Sequence, residues 1–264
     1  MNIISQVLRN KKSNCALIPF ITAGYPDKET SIKALQMLDR KGADIIELGI
    51  PYSDALADGF VIQQSSKIAL ENGIYIDQVL SILMEVHSSL NAPIVIFTYY
   101  NPILVRGIRK FIKEISLFGA RGLIIPDLPL EESDYIIELC LNFNIELILF
   151  IAPNSSDERI QAIISKSPGC IYVVSSYGVT GTRNNINNQI NLLINKIKEY
   201  SDKNIMLGFG ISSCEQVALV SKWNVDGIVV GSAFINAISG KSTTSAIKHL
   251  GSFCNKLKLS IDML

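Results

Sequence analysis

Apolar runs rich in β-branched residues recur along the chain, and amphipathic stretches separate them. The runs predict eight strands, at 15–23, 44–50, 93–99, 122–126, 146–152, 170–175, 205–208 and 227–230. They are continuous rather than alternating in polarity, which is how strands covered on both faces read. The stretches between them have helical spacing. Residues 31–41 carry Ile32, Leu35 and Leu38; 132–142 carry Tyr135, Ile136, Leu139 and Cys140; 188–200 carry Ile190, Leu193, Ile194 and Ile197. Ser155 and Ser156 before Asp157 and Glu158 mark one helix start, and Ser212 stands three residues before Glu215 in a capping-box spacing. Strands alternating with helices predict parallel pairing through βαβ units. Eight units predict one domain over residues 1–264: an α/β fold, a closed (β/α)8 TIM barrel with an N-terminal helix. An open doubly wound sheet is the alternative, but no GxGxxG follows the first strand. The stretch 44–93 is longer than the other units and holds a loop at 51–59 and helices at 62–71 and 77–89. This predicts an elaborated loop after strand 2, on the catalytic face of the barrel.

Composition narrows the class. The 264 residues are 48% hydrophobic and 18% charged, with a mean hydropathy of +0.30. A disordered chain needs the opposite balance. Lys and Arg number 24, as do Asp and Glu, so no net positive charge draws in nucleic acid. No apolar run approaches the roughly 20 residues of a membrane helix, and residues 1–14 lack the apolar core of a signal peptide. The five cysteines include no CxxC, which points to reduced thiols rather than disulfides or zinc ligands. There are 41 Ile, 19 Asn and 17 Lys against 15 Ala and 7 Arg. That is the bias of an AT-rich genome, bacterial or plastid, and implies a cytoplasmic or plastid-stroma location.

The candidate chemistry is acidic. The two histidines, His87 and His249, fall in helical patterns away from the strand ends, and no strand core holds a Lys or Arg. A His metal site, a Ser-His-Asp triad and a Schiff-base Lys therefore all lack their key residue. Glu47 lies inside the run Ile45-Ile46-Glu47-Leu48-Gly49. A charged carboxylate in a buried strand is costly unless paired, so Glu47 is either a structural ion pair or a functional group. Strand parity puts Ile45, Glu47 and Gly49 on one face, expected to be the lumen. Asp58 follows in the loop after the same strand, before Gly59. An Asp there is ordinary turn chemistry when taken alone, but two carboxylates in different environments can divide acid and base roles. Glycines mark the ends of the last strands: Gly208, Gly210 and Ile211 after strand 7, Gly231 and Ser232 after strand 8. Exposed amides at a helix start bind anions, and barrels often place a phosphate at these two ends. Gly178 to Gly181, after strand 6, would close the site. These residues describe a barrel enzyme that acts on a phosphorylated small molecule by carboxylate acid–base chemistry, with no metal.

Several motifs, in order, carry a resemblance. Pro19-Phe20-Ile21-Thr22-Ala23-Gly24-Tyr25-Pro26, Glu47-Leu48-Gly49-Ile50-Pro51-Tyr52-Ser53-Asp54, Ala57-Asp58-Gly59, Pro126-Asp127-Leu128-Pro129, Tyr177-Gly178-Val179-Thr180-Gly181 and Gly208-Phe209-Gly210-Ile211 resemble the tryptophan synthase alpha chain family over essentially the whole sequence. The resemblance implies a lyase of tryptophan biosynthesis that cleaves indole-3-glycerol phosphate to indole and glyceraldehyde 3-phosphate by a retro-aldol reaction. It implies Glu47 as the acid–base residue and Asp58 as acceptor for the indole N–H. It also implies Tyr172 near Glu47, Phe20 against the ring, and Gly181, Gly210, Gly231 and Ser232 around the phosphate. No cofactor is implied for this chain. The implied partner is a PLP-dependent beta chain in an alpha2beta2 heterotetramer, contacted by Asp54 and the loop after strand 2, by Asn101-Pro102 and by Asp127 to Pro129, and indole passes to it internally. Three loop positions depart from the family pattern: Ala55 and Phe60 where proline is usual, and Ser176 where many members carry Arg. Another phosphate-binding barrel enzyme, or a stand-alone form that releases indole or serves as a scaffold, is the competing reading. Ring-closing synthases of the same substrate rely on a barrel Lys that is missing here.

Overall fold

A computed structural model describes residues 2–174, 188–208 and 210–262. The chain begins with α1 (Ile3–Arg9), β1 (Ala16–Thr22), α2 (Lys28–Arg40) and β2 (Ile46–Gly49). After β2 come two helices, α3 (Phe60–Glu71) and α4 (Ile76–Val86), with a 3-10 turn at His87–Ser89. Next are β3 (Ile94–Phe97), α5 (Tyr100–Arg106), α6 (Ile108–Leu117), β4 (Ala120–Ile124), α7 (Ser133–Asn142) and β5 (Glu146–Ile151). The remaining elements are α8 (Asp157–Lys166), β6 (Ile171–Val174), α9 (Asn188–Tyr200), β7 (Ile205–Gly208), α10 (Cys214–Val220), β8 (Gly227–Val230), α11 (Ser232–Ile238) and α12 (Thr243–Asp262). The eight strands close in sequence order into a barrel, β8 pairing back onto β1. The elaboration after β2 is the pair α3 and α4.

Two apolar layers explain why the strand runs are continuous. Ile46 and Leu48 of β2 face outward with Ile21, Ile94 and Ile96 into the shell beneath the helices. Ile45 faces the lumen with Ile18, Phe20, Val95 and Phe97. In register, Glu47 stands between Phe20 and Val95. The parity expected for Ile45, Glu47 and Gly49 is the parity observed.

The floor of the barrel is closed by α1, whose Ile4 and Leu8 pack against Ala16, Ile18, Cys170 and Met206. Carboxylates tie the strand feet together. Glu146, at the start of β5, accepts from the Ser5 N–H (3.0 Å), the Ser5 hydroxyl and the Cys170 N–H (2.9 Å). Asp44 accepts from the Leu17 N–H (2.7 Å) and pairs with Lys258 of α12. Asp226 accepts from the Ile205 N–H (2.9 Å) and pairs with Lys11 and Lys198. Both chain ends are thereby held to the side of the barrel opposite the loops that carry Asp58 and Gly231.

The pattern and the structure part in four places. β4 starts at Ala120 and so includes Arg121, a cation in a strand where none is expected. Its guanidinium bends back to the Ala120 carbonyl (2.8 Å) at the half-exposed strand foot, so it does not enter the lumen. The cap of α10 is Ser213, which accepts from the Gln216 N–H (3.3 Å), whereas Ser212 donates its own N–H to Gln216 Oε1 (2.8 Å). The capping pair is therefore one residue beyond the expected Ser212 and Glu215. The short α5 is not expected, and Gly107, at φ 89°, separates it from α6; a left-handed backbone suits glycine there. Finally, α12 buries Ala246, Leu250, Cys254, Leu257 and Ile261, a helical spacing that closes the shell beside α2.

Candidate active site

Glu47 is 1% exposed, and among the described residues its Oε1 has no hydrogen-bond partner. Burial alone raises its carboxyl from 4.5 to about 8, so it is a neutral acid at neutral pH. Among the described residues no cation pairs with it, which speaks against the reading as a structural ion pair. Asp58 is 5% exposed and sits in the loop between β2 and α3. Burial raises it to about 6, against a hydrogen bond from the Tyr99 hydroxyl that favours its charged form. Two carboxyls on one side of the lumen thus titrate apart, one protonated and one largely ionised near pH 7, the condition for dividing acid and acceptor roles.

Aromatic side chains wall the space above Glu47. Phe20 meets Phe97 edge-on, with centroids 5.6 Å apart. Its ring lies over Gly49, where a Cβ would fall 2.5 Å from the ring. Tyr172 of β6 is buried against Phe150 at 4.8 Å. Burial, and after it the nearby Glu47 and Asp58, push the titration of its hydroxyl far above the ordinary tyrosine range. Glu47, Asp58, Phe20 and Tyr172 therefore gather at one mouth. Residues that the pattern does not single out join them. Tyr99, two positions past β3, continues the lumen parity of Val95 and Phe97. Its hydroxyl takes the Ala57 N–H at 3.0 Å. Gln63 Nε2 donates to the carbonyls of Ala55 (3.1 Å) and Asp58 (3.0 Å). Strand parity was the available signal for Tyr99; nothing local marks Gln63.

The glycine-rich ends lie beside this wall. Gly231 faces Phe20 and Ile62, the nearest atom to a Cβ there being Ile62 Cδ1 at 3.5 Å. Ser232 opens α11, so its N–H and that of Ala233 belong to a first turn without intrahelical partners. Gly210 is exposed, at φ 76°, with nothing within 4 Å of a Cβ. Gly181, the segment Gly178 to Gly181 and Ser176 lie outside the described residues. Asp54 is exposed, as are Asn101, Asp127 and Pro129. Asn101 Nδ2 reaches the Tyr52 hydroxyl at 3.4 Å and Asp127 accepts the Tyr100 N–H at 2.8 Å. Among the described residues, no three His, Cys, Asp or Glu side chains converge as metal ligands would, and no helix is long and apolar enough to cross a membrane. His87 and His249 are exposed.

Comparison with known proteins gives a consistent answer. The family model described as tryptophan synthase alpha chain matches residues 7–262. The tryptophan synthase alpha chain of Gracilaria tenuistipitata var. liui is 63% identical over 261 residues, covering 99% of this chain and 97% of that one. The one from Antithamnion sp. is 61% identical over 258 residues, covering 98% of each. Among solved structures, Mycobacterium tuberculosis tryptophan synthase superposes with a TM-score of 0.90 at 31% identity, covering 99% of this chain and 98% of that one. A chain of the tryptophan synthase a2b2 complex from Pyrococcus furiosus gives 0.87 at 37% identity, covering 94% and 98%.

Proposed function

The chain belongs to the tryptophan synthase alpha chain family, a lyase of tryptophan biosynthesis that cleaves indole-3-glycerol phosphate to indole and glyceraldehyde 3-phosphate, and we propose that Glu47 and Asp58 carry this retro-aldol reaction. Glu47 begins neutral and gives its proton to indole C3. The ring nitrogen gains positive charge as this happens, and ionised Asp58 accepts the indole N–H and stabilises it. Glu47, now a carboxylate, removes the proton of the side-chain hydroxyl next to the ring. The oxygen becomes the aldehyde of glyceraldehyde 3-phosphate, the carbon–carbon bond breaks, and its electron pair restores the aromatic indole. Glu47 ends protonated, ready for the next turnover.

Phe20 and Tyr172 flank the ring, and Gly181, Gly210, Gly231 and Ser232 receive the phosphate at the ends of the last strands. This orientation puts indole C3 beside Glu47. The observation that carries the reading is the pair of buried carboxyls facing one aromatic-walled mouth, titrating near 8 and near 6. The whole chain acts as one barrel domain. It pairs with a PLP-dependent beta chain in an alpha2beta2 assembly through the loop bearing Asp54, through Asn101-Pro102 and through Asp127 to Pro129, and hands indole to it. The algal relatives and the AT-rich composition favour the plastid stroma or the cytoplasm. The direct test is indole release from indole-3-glycerol phosphate by the purified chain; no release, with or without a beta chain, refutes the reading.

A further inference from the structure

We propose that Gln63 is a positioning residue for Asp58: the two protons of its amide nitrogen staple the carbonyls at both ends of the turn from Ala55 to Asp58, and so fix where the Asp58 side chain leaves the backbone. The inference rests on the role proposed above for Asp58.

Asp58 closes a turn, its N–H donating to the Ala55 carbonyl at 3.1 Å. Gln63 Nε2 donates to that same carbonyl at 3.1 Å and to the Asp58 carbonyl at 3.0 Å. Both partners only accept, so the amide turns its nitrogen toward them, and that nitrogen carries two protons. An ionised carboxylate or a thioether of the same length has none to give. The far end of the staple is anchored. The Gln63 N–H donates to the Gly59 carbonyl at 3.0 Å, within the first turn of α3. Two residues on, the Ser65 hydroxyl donates to the Ile62 carbonyl at 2.8 Å, which leaves Thr22 as the donor in the 2.6 Å contact between the Thr22 and Ser65 hydroxyls. Thr22 and Ser65 are each 1% exposed, so water does not compete for the bond that ties α3 to the end of β1. From the opposite side the Tyr99 hydroxyl, two positions past β3, accepts the Ala57 N–H at 3.0 Å. The turn that ends in Asp58 is thus held from β1 and from β3, the two strands that flank β2. The helix start offers no substitute, because Gly59 caps α3 without a side-chain bond. Gln63 itself is exposed, so water can take over its hydrogen bonds and its contribution to global stability is small. Water does not reproduce a fixed distance between the two carbonyls, and that distance sets the direction of the Asp58 side chain.

The test uses the full chain with a saturating tryptophan synthase beta chain and follows cleavage of indole-3-glycerol phosphate. Gln63→Met keeps the length of the side chain and loses both protons. Its kcat should fall about tenfold, as a small misplacement of a reacting group does, with KM within about twofold and the denaturant midpoint nearly unchanged. Gln63→Glu, which sets a carboxylate against two carbonyl oxygens at neutral pH, should lose at least as much. In an Asp58→Asn background Gln63→Met should cost less than about twofold, because residues that act as a unit do not add. That arm also answers a general weakening of the fold, which would cost the same in either background. A kcat within about twofold of the unmodified chain, a loss carried by KM, or an equal loss in the Asp58→Asn background overturns the proposal. So does a loss seen only below saturation with the beta chain, which would assign Gln63 to docking. If Asp58→Asn alone cleaves like the unmodified chain, the role of Asp58 has failed and this inference falls with it; that arm separates the two failures.

Discussion

Tyr172 occupies the space that Gly208 leaves by having no side chain: a Cβ at the end of β7 would overlap the Tyr172 hydroxyl. The two residues sit on neighbouring strands, where Val174 rather than Tyr172 is the register partner of Gly208, so the hydroxyl leans diagonally toward the mouth. Gly208→Ala should push the ring out of this notch. We expect a stability cost of about 1–3 kcal/mol from overpacking and a fall in kcat/KM of about tenfold, as a misplaced wall residue spoils substrate orientation. Denaturant midpoints and steady-state kinetics on the same preparations check both. Unchanged kinetics would mean that the position of the Tyr172 hydroxyl is irrelevant to cleavage.

Glu47→Gln keeps shape and hydrogen-bonding capacity but cannot exchange a proton. Turnover should fall at least about a hundredfold, since acid–base catalysis contributes 10²–10⁴-fold, while substrate affinity is nearly retained. Single-turnover indole formation, with binding measured separately, is the check. Cleavage within about fivefold of the unmodified chain would make Glu47 a structural carboxyl.

The same substitution should stabilise the fold. Burial raises Glu47 from 4.5 to about 8, so between those values the folded chain keeps a proton that the unfolded chain has released. Stability therefore declines as pH rises through that window and levels off above it. Glu47→Gln removes the penalty. Its unfolding free energy, from denaturant titrations, should match that of the unmodified chain near pH 4.5 and exceed it increasingly toward pH 8, by at least about 1 kcal/mol. A constant difference across that range would contradict the burial argument.

Gly231→Asp should weaken substrate binding. The new carboxylate would project toward Phe20 and Ile62, into the space assigned to the phosphate, and repel it. KM should rise at least about tenfold, the equivalent of roughly 1.4 kcal/mol, with the circular dichroism spectrum unchanged. Gly231→Ala should be milder, because its Cβ would meet Ile62 and Phe20 at ordinary contact distances of 3.5 and 3.8 Å. An unchanged KM for the Asp variant would move the phosphate elsewhere.

The partner face carries its own prediction. Leu56 is 88% exposed in the loop after β2, and Val105 is 82% exposed on α5 beside Asn101 and Pro102. Cleavage should be weak for the chain alone and rise strongly with a beta chain, as docking orders the loop and excludes water. Leu56→Asp or Val105→Asp should weaken that association about tenfold or more, as loss of an apolar anchor does. Titration calorimetry with the beta chain measures it. Equal turnover with and without the partner would contradict the coupling.

The barrel is legible in the sequence because strands packed on both faces leave few polar positions, and that clarity makes Glu47 conspicuous. Asp58 is less legible, since an Asp before a glycine in a loop looks like any turn; only its burial distinguishes it. Tyr99 ends an apolar run as many aromatics do, and the Ala57 N–H that its hydroxyl accepts lies in a different loop. The short α5 buries only Ile103, too little periodicity to show. The capping pair of α10 shows a different limit: Ser212 and Ser213 are adjacent, and the pattern of residue types alone does not separate them.

The pairing of β8 with β1 has a consequence for the nascent chain. Ala16 to Pro19 find their partners only at Gly227 to Val230, and until then one long edge of β1 has backbone groups with nothing to bond. Roughly 200 residues separate the two strands, so at about 5–20 residues per second that edge stays open for on the order of 10–40 seconds of synthesis. Open apolar edges invite pairing with other chains. Ring closure is therefore the moment at which this open edge is lost, and two of the ion pairs that latch the floor, Lys11 with Asp226 and Lys258 with Asp44, join early-made and late-made parts of the protein.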